Sequence, residues 1–198
     1  MGFAVFLEPK GELRESILKW KTKVSKIMPN QPYCSHPPHC TLFHSEVRCE
    51  EKALVQLKSI LPKTLPFELK VQGTEIFWED VATGGHTLYL SITTDQKLND
   101  LQLNVAKSLK NVIHTTGVPA FVKNNPVLKK SFENYGFPFT GPHWIPHLSI
   151  ASVRAEKSHA LITEFQSWQP KYMLKVNELS CWRVDGDDHL LIEKYRLS

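Results

Sequence analysis

His39-Cys40-Thr41-Leu42 and His147-Leu148-Ser149-Ile150 spell the same pattern: histidine, any residue, a hydroxyl residue, an apolar residue. They stand 108 positions apart (147 minus 39), and each opens a short run with strand character. Strand side chains alternate, so His39 shares a face with Thr41 and His147 with Ser149, while Leu42 and Ile150 turn toward a core. One such pattern is weak, because nine histidines give about even odds of a chance match. His114-Thr115-Thr116-Gly117 is a near match at a predicted helix end, without the apolar fourth residue. Two patterns at equivalent places are a different matter.

The surroundings repeat as well. Residues 3–8 read as a strand, and Leu13, Ile17, Trp20, Val24 and Ile27 mark one face of a helix that stops before Pro29. A Pro-rich loop leads into the first motif strand, His39 to Val47. A helix with Ala53, Leu54, Leu57 and Leu61 inward follows, and then a strand, Phe67 to Val71. The order then restarts. A strand, Thr87 to Thr93, precedes a helix marked by Leu98, Leu101, Val105, Leu109 and Val112. After a long connection, Thr115 to Pro146, come the second motif strand (His147 to Val153), a helix with Leu161, Phe165 and Trp168 inward, and a strand (Tyr172 to Val176). A hairpin turning at Asp185-Gly186-Asp187-Asp188 closes the chain. Phe67-Glu68-Leu69-Lys70-Val71 echoes Tyr172-Met173-Leu174-Lys175-Val176. The expectation is one α+β domain over 1–198, internally duplicated (about 1–80 and 84–198). Its two lobes carry mainly antiparallel sheets with helices packed outside and a central cleft.

A chain of 198 residues with 41% hydrophobic and 22% charged residues is an ordinary globular composition. The net charge of +4 favours anionic ligands weakly, since Lys and Arg form no basic run. The opening Gly2-Phe3-Ala4-Val5-Phe6-Leu7 is too short and lacks the basic lead of a signal peptide. Phe6 stands where a myristoylation site wants Ser or Thr, so the segment reads as a buried strand. No stretch could span a bilayer. Cys34, Cys40, Cys49 and Cys181 form no Cys-x-x-Cys pair, which favours a reducing intracellular compartment. No basic targeting cluster is visible, and the cytoplasm is favoured over the nucleus. No obligate protein partner is implied, and a monomer is expected.

Paired histidine and hydroxyl suit phosphoryl transfer. One neutral imidazole takes a proton from the attacking oxygen, and the other, protonated, gives one to the leaving oxygen. Thr41 and Ser149 can donate to the non-bridging oxygens, where transition-state charge gathers. His39 and His147 are thus the expected catalytic pair and Thr41 and Ser149 the phosphate binders, with no cofactor or metal required.

These residues resemble the 2H phosphoesterase superfamily of RNA 2′,5′-ligase-like proteins and cyclic nucleotide phosphodiesterases. The likeness covers essentially the whole chain, and Trp144-Ile145-Pro146-His147-Leu148-Ser149-Ile150 is similar to the second motif of the plant enzymes. It implies a bilobal fold with the motifs facing across a water-filled cleft. It also implies metal-independent action on a nucleotide or RNA phosphodiester such as a 2′,3′-cyclic phosphate, a 2′,5′-linked oligoadenylate or an RNA 3′ end. Plant members carry a tyrosine where Ser152 stands and a substrate-facing tryptophan where Phe6 stands, which makes Phe6 a candidate base platform. In the long connection, Lys123, Lys129, Lys130, Phe137, Phe139 and Trp144 could form a basic and aromatic lip for single-stranded RNA.

Three rivals compete. Cys34, His36, His39, Cys40 and His44 crowd one stretch, but their spacing fits no common zinc motif. Alternation also turns Cys40 and His44 away from the face of His39. Cys40 should point into the core, and Cys49 lies beside Glu50 and Glu51, so neither suits a nucleophile. His36, His44, His86, His143, His159 and His189 read as surface or structural residues. A non-catalytic RNA-binding module that kept the cleft is the remaining alternative.

Overall fold

The computed structural model describes residues 2–61, 64–115 and 117–198. Met1 of the opening segment and Thr116 of the near-match motif lie outside them. The apolar opening is strand β1 (Gly2–Leu7), and helix α1 (Gly11–Ile27) follows. The buried stripe of α1 is Leu13, Ile17, Lys21 and Val24. It continues to Met28, which packs on the core, so Ile27 falls beside it and is half exposed, against expectation. Next come β2 (Cys40–Ser45), α2 (Glu50–Lys58) and β3 (Phe67–Phe77), which runs six residues past its predicted end (77 minus 71). Then follow β4 (His86–Ile92) and α3 (Gln96–Leu109), started by Asp95, whose side chain accepts from the Lys97 amide.

The long connection is not a loop throughout. It holds α4 (Ala120–Lys123), α5 (Pro126–Tyr135) and a 3-10 turn at Gly141–His143. The signals for α5 are local: Asn125 caps it, Pro126 occupies its first turn, and Gly136 ends it at φ +62°. Strand β5 (His147–Val153), helix α6 (Ala160–Ser167), β6 (Lys171–Val176), β7 (Glu178–Asp185) and β8 (Asp188–Arg196) complete the chain.

The strands form two antiparallel four-stranded sheets, ordered β2-β1-β7-β8 and β5-β4-β3-β6. The fold is thus α+β, with two sheets as expected. Each sheet draws strands from both halves of the sequence. β7 pairs with β1, while the far end of β3 pairs with β4. The look-alike segments of β3 and β6 lie side by side, with Leu69 opposite Leu174 at their midpoint. The helices cross over too: α3 packs on β2, and α1 packs on β5. One continuous hydrophobic core joins these layers.

Both motif strands contain a bulge at the same motif position. Val5 pairs with Phe43 and Phe6 with Thr41, which leaves Leu42 over; Leu88 pairs with Ala151 and Tyr89 with Ser149, which leaves Ile150 over. Leu42 and Phe43 are therefore both buried, as are Ile150 and Ala151. The bulge reverses the alternation, so His44 returns to the face of His39 and Thr41 instead of turning away.

Candidate active site

The two motifs line one cavity of about 690 Å³, with His39 and Thr41 on one wall and His147 and Ser149 on the other. The walls meet at the motif heads, where β2 packs on β5 and the His147 backbone lies by the buried Cys40 thiol. Each histidine is fixed in the same way. The Nδ1–H of His39 donates to the Pro37 carbonyl at 2.6 Å, and that of His147 to the Ile145 carbonyl at 2.7 Å. A carbonyl can only accept, so Nδ1 holds the proton and Nε2 is the free ring nitrogen. Pro38 and Pro146 precede the histidines and shape both turns.

Aromatic rings from the neighbouring strands hold the imidazoles. Phe6 stacks on His39 with ring centroids 3.7 Å apart and an angle of 12°. The strand partner of Ser149, Tyr89, meets His147 edge-on at 5.2 Å, and Phe77 does so at 5.1 Å. The Tyr89 hydroxyl is itself held by Glu75 at 2.8 Å. Phe6 is only 3% exposed, so its face is given to His39 and little is left for a base. Trp144 likewise departs from its expected role. It is 7% exposed, and its Nε1–H donates to the Thr41 carbonyl at 2.9 Å, which fixes the first motif from behind. Phe137 does line the cavity, beside Phe121 and Phe139. Lys123, Lys129 and Lys130 are exposed on α4 and α5 outside it, and Lys129 lies 3.9 Å from Glu133. The lip is aromatic without being basic.

Several cleft residues have no motif in the sequence. His36 and His189 stand with rings 4.2 Å apart, and Asp187 binds His36 Nε2 at 3.1 Å. They are 153 positions apart (189 minus 36), and only the fold brings them together. Lys21 lines the cavity floor and did leave a signal: it lies on the apolar stripe of α1. Among the described residues no cluster of three or more His, Cys, Asp or Glu is placed to hold a metal ion. Burial pushes the Cys40 thiol up to about 12, which removes it as a thiolate at neutral pH.

The two histidines are tuned unequally. Burial first, then Lys21, His189 and His36, hold His39 well below the ordinary histidine range, against the Pro37 carbonyl. His147 is lowered by burial as well, but both the Ile145 carbonyl and Asp80 pull it back up. His36 is also lowered, and His44 is pushed down to about 4, both chiefly by burial. These shifts give stability a pH dependence. The unfolded chain binds more protons than the folded one below the ordinary histidine pKa of 6.5, so this contribution is complete above 6.5 and lost as pH falls toward the depressed folded values. Urea midpoints at pH 7.5 and 5.5 should differ, with the protein weaker at 5.5, and His39→Gln should flatten the slope. Equal midpoints for the parent would refute the tuning.

A sequence model of the 2′-5′ RNA ligase superfamily matches residues 9–188. No match to a curated protein was found by sequence. Among solved structures, TT0787 of Thermus thermophilus superposes with a TM-score of 0.68 at 16% identity, covering 100% of this chain and 98% of that one. Escherichia coli LigT in apo form gives 0.63 at 14% identity, covering 100% and 97%. LigT complexed with 3′-AMP gives 0.61 at 13% identity, covering 99% and 96%. These likenesses extend the two-sheet fold over the full chain. Among the described residues no helix is long and apolar enough to cross a membrane. The chain belongs to the 2′-5′ RNA ligase superfamily of 2H phosphoesterases, which act on phosphodiesters and RNA.

Proposed function

We propose that this chain is a phosphodiesterase that opens a nucleotide or RNA-end phosphodiester, such as a 2′,3′-cyclic phosphate, by two-histidine acid–base catalysis. The observation that carries this reading is the matched fixing of His39 and His147, each with Nδ1 bound to a carbonyl and a hydroxyl residue beside it in one cleft. His39, held neutral, takes the proton of the attacking water at Nε2. The water oxygen bonds to phosphorus, the P–O bond to the ribose oxygen breaks, and His147 Nε2–H protonates that oxygen. Both proton transfers are supplied by side chains, so no step calls on a metal. LigT's complex with 3′-AMP supports a nucleotide carrying a ribose phosphate as the ligand class.

Thr41 and Ser149 both line the cavity, which supports them as the hydrogen-bond donors to the phosphate in this reading. Thr41→Val and Ser149→Ala should each lower kcat by about 10²-fold with a smaller change in KM, as for loss of one transition-state donor. An effect on KM alone would remove that role. The decisive experiment incubates the chain with 2′,3′-cyclic nucleotides, 2′,5′-linked oligoadenylate and 3′-uridylated RNA in EDTA. Cleavage of any one identifies the substrate class. Binding of RNA with no cleavage of any of them would instead mark a non-catalytic RNA-binding module.

A further inference from the structure

Lys21 is 3% exposed, and its ammonium donates to the carbonyls of Tyr33 and, at 3.0 Å, Ile150. Ile150 is the extra residue in the bulge of the second motif, immediately after Ser149. The first motif has the matching arrangement. Gln102, on the buried stripe of α3, donates to the carbonyl of the other bulge residue, Leu42, at 3.1 Å. The stripes correspond position by position: Ile17, Trp20, Lys21 and Val24 on α1 match Leu98, Leu101, Gln102 and Val105 on α3. Holding a motif bulge therefore needs only a neutral amide.

The lysine brings a charge that this structural task does not use. Burial lowers it to about 8, with the Cys34 thiol acting in the opposite direction, so it is still a cation at neutral pH. Among the described residues no carboxylate forms an ion pair with it. The titratable groups around it are Tyr33, Cys34 and His36 from the loop before the first motif and His39 at its head; across the cavity lies His147, and Asp80 acts on Tyr33 and His147. Burial pushes the Tyr33 phenol up to about 12, so it supplies no anion. A buried cation without an anion is costly unless a ligand provides one. Gln102 does not line the cavity, whereas Lys21 does, together with both histidines and both hydroxyls.

We propose that Lys21 is a third phosphate anchor, whose ammonium pairs with a non-bridging oxygen of the phosphate between Thr41 and Ser149. This rests on the cleft taking a phosphodiester, and it adds the group that neutralises the bound anion. The same charge helps keep His39 unprotonated before substrate arrives. Oxyanion affinity then depends on a protonated lysine: it is retained below about pH 8 and lost as pH rises past it, and the bound anion moves that loss to higher pH.

The test is Lys21→Gln, which copies the arrangement at Gln102 and removes only the charge. The probe is inorganic sulfate, a tetrahedral oxyanion of constant charge between pH 7 and 9, titrated by calorimetry into the full chain. The parent should bind about tenfold or more tightly at pH 7 than the variant, and the gap should close by pH 9. The variant should also move the acid limb of kcat/KM upward, because His39 loses a cationic neighbour; a purely structural pin would leave that limb in place. Sulfate affinity, KM and acid limb all unchanged in Lys21→Gln would overturn the anchor and leave the two-histidine reading intact. Lysine-dependent sulfate binding in a chain that cuts no phosphodiester would keep the anchor and remove the proposed function. Should the variant not fold, the Lys21 Nζ resonance of the parent decides: sulfate must raise its pKa, and an unmoved titration refutes the anchor.

Discussion

Alanine at His39 or at His147 is expected to lower kcat on a cleaved phosphodiester by about 10²–10⁴-fold, with the fold retained. Each imidazole lies in the cleft and is tied by a hydrogen bond to a local carbonyl two residues back; its other contacts are ring packing, Phe6 on His39 and Tyr89 and Phe77 on His147, so the strand pairing does not depend on it. The two losses should be far from additive, because an acid without its base leaves the same proton unmoved. The double variant should therefore be little worse than either single one. The variants should differ in pH profile. His39→Ala removes the acid limb, since the base that must be neutral is gone, whereas His147→Ala removes the limb at higher pH, where the acid must hold its proton. Steady-state kinetics across pH, beside thermal melts of each variant, measures both points. Turnover near the parental rate in either variant would eliminate the two-histidine mechanism.

The motif pair was legible because its chemistry and its strand period are both local. His39 and Thr41 share a face within three residues, and the strand order around them repeats in the second half. The bulges at Leu42 and Ile150 were not legible. No glycine marks them, and the extra residue is visible only against the partner strand, which is why strand alternation alone puts His44 on the wrong face. Sheet membership was also hidden. β3 and β7 each pair with a strand of the other half, and nothing in either segment states it. The cleft position of His189 depends on that exchange, since β7 and β8 reach the first motif only through β1. Lys21 was legible in principle. It interrupts the stripe of α1 at a core-facing position, and a charged residue there requires a partner. Phe6 and Trp144 show a further limit: an aromatic residue beside a motif reads equally as a platform for substrate or a prop for the motif.

Trp144→Ala separates those two readings. Trp144 belongs to the continuous core, and it ties the run into the second motif to the backbone of the first. Truncating a buried tryptophan costs about 3–5 kcal/mol. That is a large part of the roughly 5–15 kcal/mol that holds a typical domain together. The Thr41 carbonyl loses its donor as well, and Thr41 lines the cavity with the hydroxyl proposed above as a phosphate donor. Trp144→Phe keeps most of the apolar volume and removes that hydrogen bond, which alone should cost about 1–3 kcal/mol. Chemical denaturation should therefore rank parent, Trp144→Phe and Trp144→Ala in falling stability. In the folded fraction of Trp144→Phe, kcat should fall more than KM rises, because a displaced Thr41 weakens transition-state contact. A lip that stacks on RNA bases would give the opposite result, with parental stability and a raised KM that grows with the length of the RNA. Since the indole N–H is already committed to Thr41 and the ring is nearly covered, the stability loss is the expected outcome.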